Sequence, residues 1–248
     1  KFDSVIRYLE KEQAALIGQI ARIETIIFWK GKFQQPALTL VQTHADTINV
    51  AGSGIDQTLI QAQPNIQNVL MQAGEGQSIV VERMHLSLSR TSPLAGFVSI
   101  KGENAGLAMF DMKLEGYTEI DDHATVLEPG TLFDVTGFVY AEDIIAQNIN
   151  LVRGSFLSGT GLRRADDKED MEWLGMRQSG LYRCLFDNFT TNETGLISLY
   201  DSVEPMANAQ SNSKDNNKLK KQKNVPPYSF TFQEVIFSAS VTSLKLDG

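Results

Sequence analysis

Apolar and polar side chains alternate strictly in Met84-His85-Leu86-Ser87-Leu88-Ser89. The same alternation recurs in Phe110-Asp111-Met112-Lys113-Leu114-Glu115 and again in Tyr228-Ser229-Phe230-Thr231-Phe232-Gln233. A period of two residues is typical of a β-strand that packs one face against a core. We therefore predict that these three stretches are strands and that one face of each is buried.

Outside these stretches, other strand-sized segments lie between clusters of Gly, Pro, Asn and Asp from residue 37 to residue 246. Because no helices are interleaved with them, we expect neighbouring strands to pair directly and antiparallel. The pattern predicts a mainly β fold, a jelly-roll-like antiparallel β-sandwich formed by residues 33–248. Two segments, 158–168 and 206–227, are predicted to be exposed loops, since the first is rich in glycine and the second is strongly polar.

Residues 1–32 have a different pattern, in which large side chains follow the alternating spacing of coiled-coil a and d positions. These positions are Phe2, Ile6, Leu9, Gln13, Leu16, Ile20, Ile23 and Ile27. We predict an N-terminal α-helix of coiled-coil type that joins copies of the chain, with a trimer favoured because isoleucine occupies both kinds of position. The alternative is that the same apolar stripe packs the helix against its own β body.

The composition limits the partners. With 30 acidic and 22 basic residues, the chain carries a formal net charge of -8, which disfavours nucleic acid as a ligand. Its apolar runs are far shorter than the roughly 20 residues of a transmembrane helix, so no membrane span is expected. The one cysteine, Cys184, cannot form an intrachain disulfide, and we predict that it is a buried thiol.

The sequence carries none of the common motifs for catalysis or cofactor binding. The sequence has no P-loop, no dinucleotide-binding glycine pattern, no nucleophile elbow and no Cys/His zinc spacing, so we predict no cofactor and no enzyme activity. The three histidines, His44, His85 and His123, are widely separated. An acidic cluster could suit calcium, but it lacks the fixed spacing of a calcium loop, and a solvated turn is the favoured interpretation. Its residues are Glu119, Asp121, Asp122, His123 and Glu128.

One basic run lies inside the predicted loop 206–227, and it consists of Lys218, Lys220, Lys221 and Lys223. The simplest interpretation is that these lysines are solvated charge. The alternative is an electrostatic tether that becomes ordered on contact with an acidic neighbouring subunit or with nucleic acid.

Three functions fit this pattern. The favoured one is a structural protein of a large assembly, a viral or bacteriophage virion component such as a capsid, decoration or fibre-attachment subunit, located in the virion. The second is a carbohydrate- or receptor-binding β-sandwich that offers aromatic faces to a glycan, from Tyr117, Tyr140, Trp173 or Tyr182. The third is an enzyme on a β scaffold, in which carboxylates and histidines would meet in one pocket.

Overall fold

The computed structural model describes residues 23–35, 38–39, 45–62, 70–74, 77–87, 96–116, 131–151, 154–160, 179–191, 195–200, 230–240 and 245–246. Within these ranges the chain forms sixteen β-strands. They are β1 (Ile23–Ile27), β2 (Gly31–Gln35), β3 (Leu38–Thr39), β4 (Thr47–Ala51), β5 (Thr58–Ala62), β6 (Met71–Gln72), β7 (Ser78–Ser87), β8 (Val98–Glu115), β9 (Phe133–Leu151), β10 (Leu157–Thr160), β11 (Ser179–Tyr182), β12 (Leu185–Thr191), β13 (Ile197–Tyr200), β14 (Phe230–Gln233), β15 (Ile236–Ser238) and β16 (Lys245–Leu246).

Every described strand pair is parallel, and the strands stack into three sheets. The first sheet runs through β1, β4, the start of β7, the middle of β8 and β9, β11 and β14. The second contains β2, β5, the ends of β7 and β8, the later part of β9, β12 and β15. The third contains β3, β6, the starts of β8 and β9, β10, β13 and β16.

The chain visits the first, second and third sheet in turn and then returns to the first, one layer further along. Seven such coils follow one another in the described residues, and each sheet takes one strand from every coil. Helical winding of this kind, with parallel pairing between successive coils, defines a parallel β-helix.

In the central and C-terminal coils, the chain turns from the first sheet to the second at a single residue. These corner residues have left-handed backbone conformations and are Arg83 (φ 56°), Asp111 (φ 50°), Asp143 (φ 57°), Arg183 (φ 50°) and Glu234 (φ 56°). A second column of left-handed residues lies five positions further along, at Gly116, Asn148, Asn188 and Ala239, and two of these, Asn148 and Asn188, lie within β9 and β12. Asn188 Nδ2 donates to Asn148 Oδ1 at 2.9 Å, and asparagine tolerates this conformation better than most residues.

The core lies between the three sheets and is filled by apolar side chains that stack from coil to coil. Phe156 is at the centre of its aromatic part, with ring centroids 5.1 Å from Phe133 and 5.0 Å from Phe186. These rings are almost fully buried, and edge-to-face contacts of this kind add to the hydrophobic stabilisation. Side-chain stacking along the axis therefore adds to the parallel strand pairing that joins successive coils.

The predicted antiparallel jelly-roll sandwich is wrong, because every described pair is parallel and the chain winds as a solenoid. The predicted N-terminal helix is also wrong: the described residues contain no helix, and Ile23 and Ile27 lie in strand β1, parallel to β4. The other six coiled-coil positions, Phe2, Ile6, Leu9, Gln13, Leu16 and Ile20, lie outside the described residues. A helix long and apolar enough to cross a bilayer does not occur in the described part of the chain.

Candidate functional site

Three aromatic side chains form a continuous column on the outer surface of the first sheet. Phe110, Tyr140 and Tyr182 come from successive coils and are half-buried, whereas their neighbours along each strand, such as Met109 and Ala141, point into the core. The ring centroids of Phe110 and Tyr140 are 5.7 Å apart, and those of Tyr140 and Tyr182 are 4.8 Å apart with nearly parallel planes. We call these three residues the aromatic strip.

Small residues beside the strip give its rings room. Tyr140 lies in register with Ala108 on one side and Gly180 on the other. A Cβ atom on Gly180 would lie 2.9 Å from Cε2 of Tyr182 and 2.6 Å from the carbonyl oxygen of Thr231. Because Gly180 lacks this atom, the ring of Tyr182 can lie across the backbone and stack on Tyr140.

A charged cluster borders the strip at the corner between the first and second sheets. Arg183 donates from Nε to Asp143 Oδ1 at 2.8 Å and from Nη2 to Asp143 Oδ2 at 2.9 Å, a bidentate pair. The same Nη2 also donates to Glu142 Oε1. Tyr140 in turn donates its hydroxyl to Glu142 Oε2 at 3.2 Å, which connects the cluster to the strip.

The protonation of this network follows from its contacts. Burial and the adjacent Glu142 carboxylate raise the pKa of Tyr140 to about 12, so its hydroxyl stays a hydrogen-bond donor at neutral pH. The hydrogen bonds from Arg183 hold the pKa of Asp143 below its usual value. The site thus combines aromatic edges and hydroxyls with fixed charges, an arrangement suited to binding polar ligands that also have apolar C–H surface.

A second polar cluster lies on the outer surface of the second sheet. His85 Nε2 is 3.0 Å from Glu115 Oε2, without the alignment of a hydrogen bond, and Lys113 Nζ is 3.5 Å from the same oxygen. Gln147 Nε2 donates to Glu115 Oε1 at 2.5 Å. Desolvation, reinforced by the charge of Lys113, lowers the pKa of His85 below 6.5, although Glu115 acts in the opposite direction. Glu115 thus contacts His85, Lys113 and Gln147, which belong to three successive coils. These contacts indicate that the cluster has a structural role.

Two of the residues proposed from sequence as glycan contacts, Tyr140 and Tyr182, are brought together by the fold. The other two, Tyr117 and Trp173, lie outside the described residues. So do the acidic cluster and the basic run, which comprise Glu119, Asp121, Asp122, His123 and Glu128, and Lys218, Lys220, Lys221 and Lys223. No group of three or more side chains that could hold a metal ion occurs among the residues with described positions. Cys184 is buried, as predicted.

Sequence reasoning missed Phe110, Glu142, Asp143 and Arg183 as parts of a site. No sequence pattern points to them; the structure shows that left-handed residues recur five positions apart in successive coils. The pairs are Asp111 and Gly116, Asp143 and Asn148, Arg183 and Asn188, and Glu234 and Ala239. Aligning the chain on these corners places Phe110, Glu142 and Tyr182 at one outward position.

Comparisons with known proteins do not identify a family. No protein-family model matches the chain, and no curated protein matches it. Among solved structures, it is similar to the A-module of the mannuronan C-5 epimerase AlgE4 from Azotobacter vinelandii, with 14% sequence identity and a TM-score of 0.27. The match covers 79% of this chain and 65% of that chain.

Proposed function

We propose that this protein binds a neutral carbohydrate along the outer surface of its first sheet. The observation that carries the proposal is the aromatic strip and its hydrogen-bonded link, from Tyr140 through Glu142, to Arg183. The strip lies parallel to the solenoid axis, so an extended chain of sugars could contact more than one coil.

The chemistry of the strip suits a sugar. Tyr140 and Tyr182 stack on one another, while Phe110 lies tilted at 42° to Tyr140, and all three side chains are half-buried. Sugar C–H groups can pack against the ring surface, and sugar hydroxyls can exchange hydrogen bonds with tyrosine hydroxyls and carboxylates. Glu142 supplies acceptor oxygens held in place by Tyr140 and Arg183.

Charge favours a neutral ligand over an anionic one. The cluster beside the strip holds two carboxylates, Glu142 and Asp143, against the single guanidinium of Arg183, which both carboxylates already engage. The net charge of the whole chain is also negative, at -8. A uronic-acid polymer would therefore meet repulsion that a neutral glycan would not.

Glycan-array screening, followed by calorimetry with the best neutral oligosaccharide, tests the proposal. We expect Tyr182→Ala to weaken binding by about tenfold, which corresponds to about 1.4 kcal/mol. Trp29→Ala is the matched control, because Trp29 is the most exposed large apolar residue described and lies in the first coil, away from the strip. Failure of all neutral glycans to bind, or equal losses in both variants, would refute the proposal.

The assembly role predicted from the sequence stays a prediction, and it has lost two of its supports, the jelly roll and the N-terminal coiled coil. The enzyme alternative also stays a prediction. His85 and Glu115 do lie together on the second sheet, but Lys113 and Gln147 already engage Glu115.

A further inference from the structure

Carboxylate and aromatic side chains alternate along one outward position of the first sheet. Glu82 of β7 lies in register with Phe110 of β8. Phe110 in turn lies in register with Glu142 of β9, and Glu142 with Tyr182 of β11. All four side chains are half-buried, and they come from successive coils. We call these four residues the alternating row.

The two carboxylates of the row are held in the same way. Arg83 donates from Nη2 to Oε1 of Glu82 at 3.3 Å, and Arg183 donates from Nη2 to Oε1 of Glu142. Asn49 Nδ2 also donates to Oε1 of Glu82, at 3.2 Å. Both arginines are corner residues. Each carboxylate is therefore oriented by a guanidinium that also balances its charge.

Both carboxylates keep room for a ligand. Glu82 is 25% and Glu142 is 24% exposed. An ionised carboxylate offers roughly four acceptor sites, and each of these two accepts hydrogen bonds from two neighbouring side chains. Within the described part of the chain, about two acceptor sites on each carboxylate remain for a ligand.

The alternating row repeats every two coils. Successive coils are about 4.8 Å apart, so Glu82 and Glu142 are separated along the axis by roughly 9.6 Å, with Phe110 between them. In an extended β-1,4-linked glycan, successive sugars are turned over relative to each other, and each sugar advances the chain by nearly the spacing of one coil. Alternate sugars of such a glycan therefore present the same hydroxyl groups at the spacing of the two carboxylates.

We propose that the carbohydrate is an extended β-1,4-linked chain of neutral sugars that lies along the alternating row, with one sugar at each coil. Glu82 and Glu142 accept hydrogen bonds from hydroxyl groups of alternate sugars. Phe110 and Tyr182 contact the C–H surface of the other sugars. This inference rests on the function proposed above, and it adds the linkage of the ligand and a role for Glu82, which lies outside the aromatic strip.

Other linkages and shorter ligands fit the row less well. Chains with α-1,4 or β-1,3 linkages curve into helices, so their hydroxyl groups leave a straight row after a few sugars. A β-1,4-linked disaccharide spans two coils and reaches only one of the two carboxylates. A tetrasaccharide spans all four positions, so both linkage and chain length should determine affinity.

Calorimetry with oligosaccharides of defined linkage tests the proposal. The probes are β-1,4-linked tetramers of glucose, mannose and xylose, together with the α-1,4- and β-1,3-linked tetramers of glucose. We expect the best β-1,4-linked tetramer to bind at least about tenfold more tightly than the other two linkages. It should also bind at least about tenfold more tightly than the β-1,4-linked dimer of the same sugar.

Substitution of Glu82 tests how far the ligand extends along the row. Glu82→Ala should weaken binding of the tetramer by about tenfold, whereas Glu82→Gln, which keeps an acceptor oxygen, should lose less. Asp187→Ala is the matched control, because Asp187 is a half-buried outward carboxylate on the second sheet, and it should leave the affinity unchanged. Thermal unfolding verifies that each variant is folded.

The outcomes separate this inference from the function on which it rests. A neutral glycan whose binding is weakened by Tyr182→Ala, but which shows no preference for β-1,4 linkage or no loss with Glu82→Ala, would overturn the inference and leave the proposed function standing. Failure of every neutral glycan to bind would overturn both.

Discussion

Gly180 determines whether the aromatic strip can form. An added Cβ would meet the carbonyl oxygen of Thr231 at 2.6 Å and the ring of Tyr182 at 2.9 Å. We expect Gly180→Ala to lower the free energy of unfolding by about 1–3 kcal/mol, because the strand or the ring must move. Urea denaturation measures this loss.

The matched comparison is the same substitution in a Tyr182→Ala background. Removing the ring eliminates one of the two clashes, so Gly180→Ala should cost less there, and the double-mutant cycle should show coupling of at least about 0.5 kcal/mol. An equal loss of stability in both backgrounds would mean that the missing side chain of Gly180 does not make room for the Tyr182 ring.

The sequence predicts the direction of some side chains and fails for others. Met84 and Leu86 alternate with His85, and both are buried, as the pattern predicts. Phe110 appears in the same kind of alternation with Met112, yet Phe110 faces outward while Met112 is buried. The cause is Asp111, whose left-handed corner between the two residues shifts the alternation by one position. Such a corner cannot be recognised from apolar periodicity.

At the scale of elements, the contacts of His85 on β7 with Lys113 and Glu115 on β8 predict how its pKa responds to substitution. The pKa of His85 lies below 6.5 because desolvation and Lys113 disfavour its protonated form, while Glu115 favours it. NMR titration should therefore show Lys113→Met raising this pKa and Glu115→Gln lowering it further. His85→Gln assigns the resonance among the three histidines.

The same shift has a consequence for stability. The unfolded chain binds this proton more readily than the folded chain, so His85 should make the protein less stable as pH falls from about 7 to about 5. Urea denaturation of the wild type and of His85→Gln at both pH values isolates this contribution. A wild type that gained stability relative to the variant in acid would contradict it.

Strand positions were predictable because they depend on local pattern, whereas strand pairing was not. The alternation in residues 84–89 and the apolar segment 78–81 both fall largely within β7. The direction of pairing depends on how the chain returns to each sheet. A jelly roll and a solenoid can have the same alternating segments. They differ in which residues far apart in the sequence pair with each other, such as Ile79 with Leu107.

On the scale of the whole molecule, each coil contacts only its neighbours, so stability should vary along the axis. The coil formed by β14 and β15 has a described neighbour on one side only and a half-exposed core. Hydrogen exchange should therefore be at least about tenfold faster in peptides from 230–240 than in those from β8 and β9.

Peptides from 23–35 provide the comparison for a covered end, since Ile26 and Phe28 are buried there. A uniform exchange rate along the solenoid would show instead that all coils open together.

The winding itself could not be predicted from a fixed repeat, because the coils differ in length. Positions that stack in register, such as Ile23, Thr47 and Ser78, are unevenly spaced along the chain. These spacings do not share one period, although every coil contributes a strand to each sheet.

A corner that consists of one residue cannot accommodate an inserted amino acid. An amino acid inserted beside Asp143 would exchange the inward and outward side chains in the following segment of β9, since neighbouring side chains in a strand point to opposite faces. Ile144 and Ala146 would then face water, and Gln147 would enter the interior. The connections from the third sheet back to the first differ widely in length, so evolutionary insertions and deletions should accumulate there and be excluded from the corners.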